Sequence, residues 1–292
     1  MSTNTIIVDN REISCGNINM IALQARRAAG ESLGKLAKEV GLPWQRLWGL
    51  LKLPLAKPSR PARRGPLTEA YRPRTLDDMR GQDWVVSHLR AFASNPHPQA
   101  FLFLGGTGTG KTSAALALAE ALGCDVDKDA FGGVYTVASG EQSAETVRDL
   151  ASWMNTIPWH GSGWKVIIVN EADRISRPAE MIWLDQLENL PARTVVVFTT
   201  NDASRLSARF CDRCISLEFD DDAERLGPQA RAYLREIATG EGIKLTDLDI
   251  EKIIADSTNN DRVTPRLSFR RVVQRLAALN PREEASHGRV GS

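Results

Sequence analysis

Cysteine is scarce in this chain: four in 292 residues (Cys15, Cys124, Cys211 and Cys214), too few and too scattered for a disulfide framework. Long apolar runs are missing, and none approaches the roughly 20 residues that a helical membrane span needs. The polar start Met1-Ser2-Thr3-Asn4 lacks a signal-peptide pattern. A soluble, cytoplasmic protein with no membrane partner is therefore expected. Net charge is almost absent at +1, but its parts are unequal. Residues 1–65 hold 11 Lys/Arg against 4 Asp/Glu, and the remainder holds 26 against 32. That asymmetry points to a polyanion partner for the first segment alone. Histidine is rare as well (His88, His97, His160, His287). Cys211-x-x-Cys214 has zinc-like spacing, but it lacks the two further ligands of a structural site.

What is present is organised around residues 101–112. The apolar run Phe101-Leu102-Phe103-Leu104 stops at Gly105, and Gly105-Gly106-Thr107-Gly108-Thr109-Gly110-Lys111-Thr112 follows. From Ser113 to Leu122 the sequence is Ala/Leu-rich and reads as a helix. Glycines let such a loop curl so that successive N–H groups point inward at phosphate oxygens, and the helix N-terminus adds partial positive charge. Lys111 can then reach the β- and γ-phosphates, and the Thr112 hydroxyl can ligate Mg²⁺. A Gly-rich strand-to-helix turn is the plainer alternative. The pattern and its context predict that Gly105 to Ser113 bind a nucleoside triphosphate, ATP with Mg²⁺.

Helix and strand alternate from Thr68 onward. Helices are predicted at 84–92, 112–122, 144–154 and 178–188, with strands at 101–104, 134–137, 166–169, 195–199 and near 214–217. Unbroken apolar strands in this order predict an α/β fold, a mostly parallel sheet covered on both faces, over residues 67–219. Beyond Asp220-Asp221-Asp222, read as a solvated hinge, only helices are expected (228–240, 247–256 and 266–279). They form a helical lid over 220–280, followed by a tail at 281–292. The aromatic cluster Trp153, Trp159 and Trp164 around His160 is expected to pack a loop against the sheet.

The basic first segment reads as a small all-α domain over residues 1–53. Ser32 can cap a helix Leu33–Val40, Gly41-Leu42-Pro43 breaks it, and Pro43 suits the first turn of a helix Trp44–Leu51. Such a pair resembles a helix-turn-helix. Arg46 then lies on or near the recognition helix, and Arg26, Arg27, Lys35 and Lys38 are placed to contact DNA phosphates. A helical bundle used for protein contact is the alternative. Residues 54–66 hold four prolines and three arginines, the composition of a stiff, extended linker.

Further stretches follow in order over about 210 residues: Tyr71-Arg72-Pro73, Gly81-Gln82, the Gly105–Thr112 loop, Ala138-Ser139 with Val147-Arg148, Asn170-Glu171-Ala172-Asp173, Thr200-Asn201 and Asp212-Arg213-Cys214. Together they resemble the AAA+ ATPases, and more narrowly the small ATPase subunits of sliding-clamp loaders (replication factor C). The resemblance implies an ATP hydrolase in which Glu171 polarises the attacking water and Asn201 orients it or reads the γ-phosphate, with Lys111 on the phosphates. Arg213 would be an arginine finger supplied to a neighbouring subunit, and Arg270 a second sensor acting in cis, with Arg266 as its competitor. Tyr71 and Pro73 would lie near the adenine. The implied partners are DNA, other AAA+ subunits and a sliding clamp.

Two departures stand out. Asn170 occupies the position of the family's metal-binding aspartate, so with Thr112 it offers Mg²⁺ an uncharged amide; weaker metal binding and slow hydrolysis follow. A basic N-terminal segment is added, and too few residues follow the lid for the helical collar of a clamp-loader subunit. The reading is a DNA-associated switch of clamp-loader type. An ATP-dependent DNA-bound regulator of transposition or replication initiation, and an assembly ATPase with protein contacts through residues 1–53, stay open.

Overall fold

The computed structural model describes residues 5–8, 11–14, 65–259 and 264–279. Two compact units meet in sequence between Arg63 and Arg64. The described part of the first is a hairpin in which β1 (Thr5–Val8) runs antiparallel to β2 (Arg11–Ser14). Val8 pairs with Arg11, which leaves Asp9 and Asn10 between the strands. A β-branched run followed by a two-residue polar connection is a hairpin signal. An all-α first domain is thereby corrected. The expected helix-turn-helix with Arg26, Arg27, Lys35, Lys38 and Arg46 lies outside the described residues, as do residues 54–64 of the linker and the tail at 281–292.

The second unit is built on five parallel strands: β3 (Gln99–Leu104), β4 (Val134–Val137), β5 (Lys165–Val169), β6 (Thr194–Thr200) and β7 (Ile215–Glu218). Their spatial order is β4-β5-β6-β3-β7. The short helix α1 (Leu67–Ala70) leads into the unit, and α2 (Asp83–Ser94), α3 (Lys111–Ala121), α4 (Ala144–Met154), α5 (Arg177–Glu188) and α6 (Ala208–Asp212) cover the sheet. Every residue of β5 and β6 is buried, as a sheet covered on both faces requires. One core joins Leu89, Phe103, Leu118, Ile168 and Val197; the other joins Leu150, Met154, Ile167, Trp183, Phe198 and Phe210. In the second, Phe198 takes Trp183 and Phe210 edge-on, with ring centroids 5.1 Å and 4.8 Å apart. Register fixes the chemistry that follows. Leu104 pairs with Thr200, and Val169 pairs with Phe198. The loops after β3, β5 and β6 therefore leave the sheet side by side, at the end where ligands of open α/β sheets sit.

The lid comprises α7 (Ala223–Glu241), α8 (Asp247–Ser257), a two-residue ladder of β8 (Thr258–Asn259) with β9 (Arg266–Leu267), and α9 (Phe269–Ala278). Its own core holds Leu226, Leu234, Ile237, Ile253, Val272 and Leu276. Three expectations are corrected. Helix α7 begins five residues before Pro228, because Asp222 caps it by accepting from the Glu224 and Arg225 amides at 2.9 Å and 3.1 Å, a cap worth about 1 kcal/mol. Helix α9 begins at Phe269, with Ser268 as its cap, so Arg266 is a strand residue. The three aspartates are not merely solvated. Besides the Asp222 cap, Asp220 pairs with Arg225 at 3.2 Å and Asp221 with Arg266 at 3.0 Å.

Candidate nucleotide site

A cavity of ≈ 480 Å³ opens at the C-terminal end of the sheet, between the phosphate-loop region and the lid. That volume is in the range of small-molecule sites. Its lining includes Thr107 to Ser113, Asn170, Glu171, Asn201, Tyr71, Pro73, and Phe269 and Arg270 from the lid. Gly105 and Gly106, also expected at the nucleotide, are not among the lining residues.

The loop after β3 turns into α3 with positive φ at three glycines, Gly105, Gly108 and Gly110. Gly108 has φ +83°, and a Cβ there would lie 2.2 Å from the Ser268 hydroxyl oxygen, so only glycine lets the lid approach this closely. Gly110, at φ +99°, is the residue from which α3 starts. Lys111, the first helical residue, is buried. Its Nζ donates to the carbonyls of Gly105 and Gly106 and to Asn201 Oδ1, each at 2.8 Å. An ammonium thus sits at the centre of the curl, where a phosphate would find it. Burial is the main cause that lowers its pKa to about 8; the nearby Arg270 lowers it further, and Asp221 and Asp173 oppose the shift. Asn201 also donates through Nδ2 to the Thr107 hydroxyl at 3.3 Å, which ties the end of β6 to the phosphate loop.

Asn170 directly follows β5, its amide oriented by two hydroxyls. Thr112 donates to its Oδ1 at 2.8 Å and Thr199 donates at 3.2 Å. The Oδ1 offers the lone pairs of a carboxylate oxygen without the charge, so the pair fits a hydrated Mg²⁺ but attracts it weakly. Glu171 adopts left-handed backbone, φ 54° and ψ 53°, a conformation that costs a non-glycine residue about 1–3 kcal/mol and clusters at functional sites. Gln142 holds it there. This buried side chain donates from Nε2 to the carbonyl of Asn170 and, at 3.2 Å, to that of Glu171. The Glu171 carboxylate accepts from the Ser139 hydroxyl and pairs with Arg174 Nε at 3.2 Å.

At the other end of the cavity Tyr71 donates its hydroxyl to Glu241 at 2.9 Å, and Tyr233 donates to the Tyr71 carbonyl at 2.6 Å. Burial first, then the Glu241 carboxylate, pushes the Tyr71 phenol up to about 12. The two competing lid arginines occupy different places: Arg270 lines the cavity, whereas Arg266 is engaged by Asp221. Arg213 is not among the lining residues and pairs with Glu188.

Gln142, Arg174 and Asp221 are site residues that sequence reasoning did not single out. The polar turn 139–143 before a capped helix was a local signal for Gln142 alone. Cys211 and Cys214 are free thiols, and burial raises Cys214 to about 12. Of the tryptophan cluster, Trp164 packs on the core and Trp153 lies against Tyr135 with ring centroids 5.6 Å apart. Trp159 is the correction: it is 84% exposed and touches only the exposed Phe131 ring among the described aromatic contacts.

Residues 81–223 match the family described as DNA polymerase III, delta subunit. The replication factor C small subunit of Archaeoglobus fulgidus is 31% identical over 187 residues, 64% of this chain and 57% of that protein. Its counterpart from Picrophilus torridus is 29% identical over 216 residues, 73% of this chain and 65% of that protein. The chain therefore spans 57–65% of the length of these curated relatives. Among solved structures, the RuvB Holliday junction branch migration motor of Thermotoga maritima superposes with a TM-score of 0.51. It is 19% identical, over 70% of this chain and 63% of that one, a likeness of fold.

Proposed function

We propose that this chain, similar to the replication factor C small subunits over about two thirds of its length, is a clamp-loader-like AAA+ ATPase: a DNA-associated ATP hydrolase that couples nucleotide state to assembly with neighbouring subunits. One observation carries the reading. Thr107, Lys111 and Asn201 form a connected hydrogen-bond chain, with the Thr112–Asn170 pair beside it, in a cavity that Arg270 of the lid also lines. A group that reads the γ-phosphate in such an arrangement is linked at once to the sheet and to the lid.

In this reading Lys111 and the loop amides hold the β- and γ-phosphates. Asn201 orients the attacking water, and Glu171 takes its proton as the bond from the γ-phosphorus to the bridging oxygen breaks. Arg270 acts in cis, and Arg213 acts on the neighbour's ATP, where its planar cation stabilises charge spreading over the transferred phosphoryl group. Tyr71 and Pro73 border the base. Mg²⁺, when bound by Thr112 and the Asn170 amide, supplies neutralisation of the phosphate oxygens. In the arrangement described, Ser139 and Arg174 engage the Glu171 carboxylate, so turnover requires Glu171 to leave them.

The partners are proposals of the same kind. The basic first segment suits DNA. A protein partner such as a sliding clamp is supported by the paired Phe131 and Trp159 rings, 65% and 84% exposed, since large exposed apolar groups seldom cluster without a partner. Steady-state ATP hydrolysis with and without duplex DNA, beside Glu171→Gln, tests the reading. DNA-stimulated turnover lost in the variant is expected. Equal turnover in wild type and variant contradicts it.

A further inference from the structure

We propose that Glu188 is a positioning residue for Arg213, holding its guanidinium in the one orientation from which it can be offered to a neighbouring subunit. The inference rests on the reading of Arg213 as a finger. Glu188 is the last residue of α5, and Arg213 is the residue that follows α6. Backbone and side chain are fixed by different groups. The backbone of α6 is anchored from its start, where the Ser207 amide donates to the buried Glu180 at 2.9 Å, and by Phe210 in the core. Neither contact touches the Arg213 side chain.

The guanidinium has its own restraints. Nη2 donates to Glu188, Nη1 donates to the Arg209 carbonyl at 3.0 Å, and Nε is buried with no hydrogen-bond partner among the described residues. The side chain is 27% exposed. Each terminal nitrogen carries two hydrogens, so one N–H on each is left over after these bonds. Two leftover donors on a planar fork are what a phosphoryl group accepts without breaking the existing contacts. The Arg209 carbonyl by itself leaves the long side chain free to rotate about that bond; a second, charged contact on the other terminal nitrogen removes this freedom. A group pre-oriented in this way loses less entropy when it engages its target. Arg213 is outside the cavity of its own chain, so the loss of Glu188 changes turnover and leaves nucleotide affinity alone.

The test is hydrolysis and nucleotide binding by the full chain with Glu188→Ala, Glu188→Gln and Arg213→Ala. It is run beside phenylglyoxal modification of arginines mapped by peptide mass, with Arg231, which pairs with Glu251 at 2.6 Å, as internal control. The expected result has three parts. Glu188→Ala lowers kcat about 10-fold with an unchanged nucleotide Kd. Glu188→Gln, which keeps an accepting oxygen, retains more of the rate. Modification of Arg213 accelerates in Glu188→Ala while that of Arg231 does not. Unchanged or raised kcat in Glu188→Ala overturns the proposal, and so does an unchanged modification rate at Arg213 in whichever Glu188 variant folds. If Arg213→Ala itself leaves turnover intact, the finger reading fails instead, and the modification arm still reports whether Glu188 restrains Arg213.

Discussion

Nucleotide affinity should fall as pH rises through the pKa of Lys111. In the free protein that pKa lies at about 8, because burial and the neighbouring Arg270 disfavour the ammonium. A phosphate group against Nζ favours the charged form and returns the pKa to its ordinary value or above. Binding above pH 8 must then take up a proton. The charged fraction of a group with pKa 8 is about 0.9 at pH 7 and about 0.1 at pH 9, so Kd weakens roughly 10-fold between them. Tyr71 titrates at about 12, and the last phosphate ionisation lies near ~6. Folding does not mask the effect. A lysine pKa lowered in the folded state leaves the unfolded chain with more bound protons between about 8 and 10.4, so this group's share of stability rises with pH there. The assay is titration with a fluorescent ADP analogue at pH 7, 8 and 9, with proton uptake measured calorimetrically in two buffers of different ionisation enthalpy. Lys111→Met should bind weakly and without this pH dependence. A wild-type Kd that is flat from pH 7 to 9 would refute the assignment of Lys111 to the phosphates.

Three further outcomes are expected. Asn170→Asp restores a charge beside Thr112 and should tighten Mg²⁺ in the nucleotide complex by roughly 10–100-fold, read by Mg²⁺ titration of nucleotide binding; no change would remove Asn170 from the metal's surroundings. Arg270→Ala should weaken nucleotide binding. Arg266→Ala should lower the thermal midpoint instead, since it strands the half-buried Asp221, and the opposite pattern would exchange the two roles. Phe198→Ala removes the ring that Trp183 and Phe210 pack against and should cost about 3–5 kcal/mol in denaturant unfolding; a loss under 1 kcal/mol would mean that the core closes over the gap.

The sheet was legible because β5 and β6 are buried on both faces and their sequences are correspondingly unbroken, so element type and order follow from Val166–Val169 and Val195–Thr199 alone. Boundaries failed where capping overrode propensity. The first lid helix is expected from 228, but Asp222 supplies a cap six residues upstream. The Gly105–Thr112 loop was legible for a different reason: its spacing is dictated by backbone amides. Asn170, Glu171 and Asn201 were legible because apolar strands deliver them at one end of the sheet. What sequence could not give was the partner of each side chain. Gln142 meets the Asn170 and Glu171 carbonyls from a separate loop, and Arg266 meets Asp221 across the lid, pairings set by tertiary packing; Arg174 meets Glu171 locally, three residues on. Nor did the pattern distinguish Arg266 from Arg270, which are four residues apart and would share a face had the helix begun where expected. The pairing of residues 5–8 with 11–14 is not among the sequence expectations, although the β-branched residues before Asp9-Asn10 are a signal for it. The expectation that Trp159 packs a loop against the sheet rests on aromaticity alone, and the loop instead turns it outward.

The central claim is that nucleotide in this cavity drives assembly on DNA, and mass photometry of the full chain on duplex DNA tests it most directly. With ATP, complexes of more than one protomer per duplex should form. They should be lost with no nucleotide and in Lys111→Ala. Multimers of the same size and number with and without ATP, or DNA binding by single protomers only under every nucleotide condition, would contradict the account.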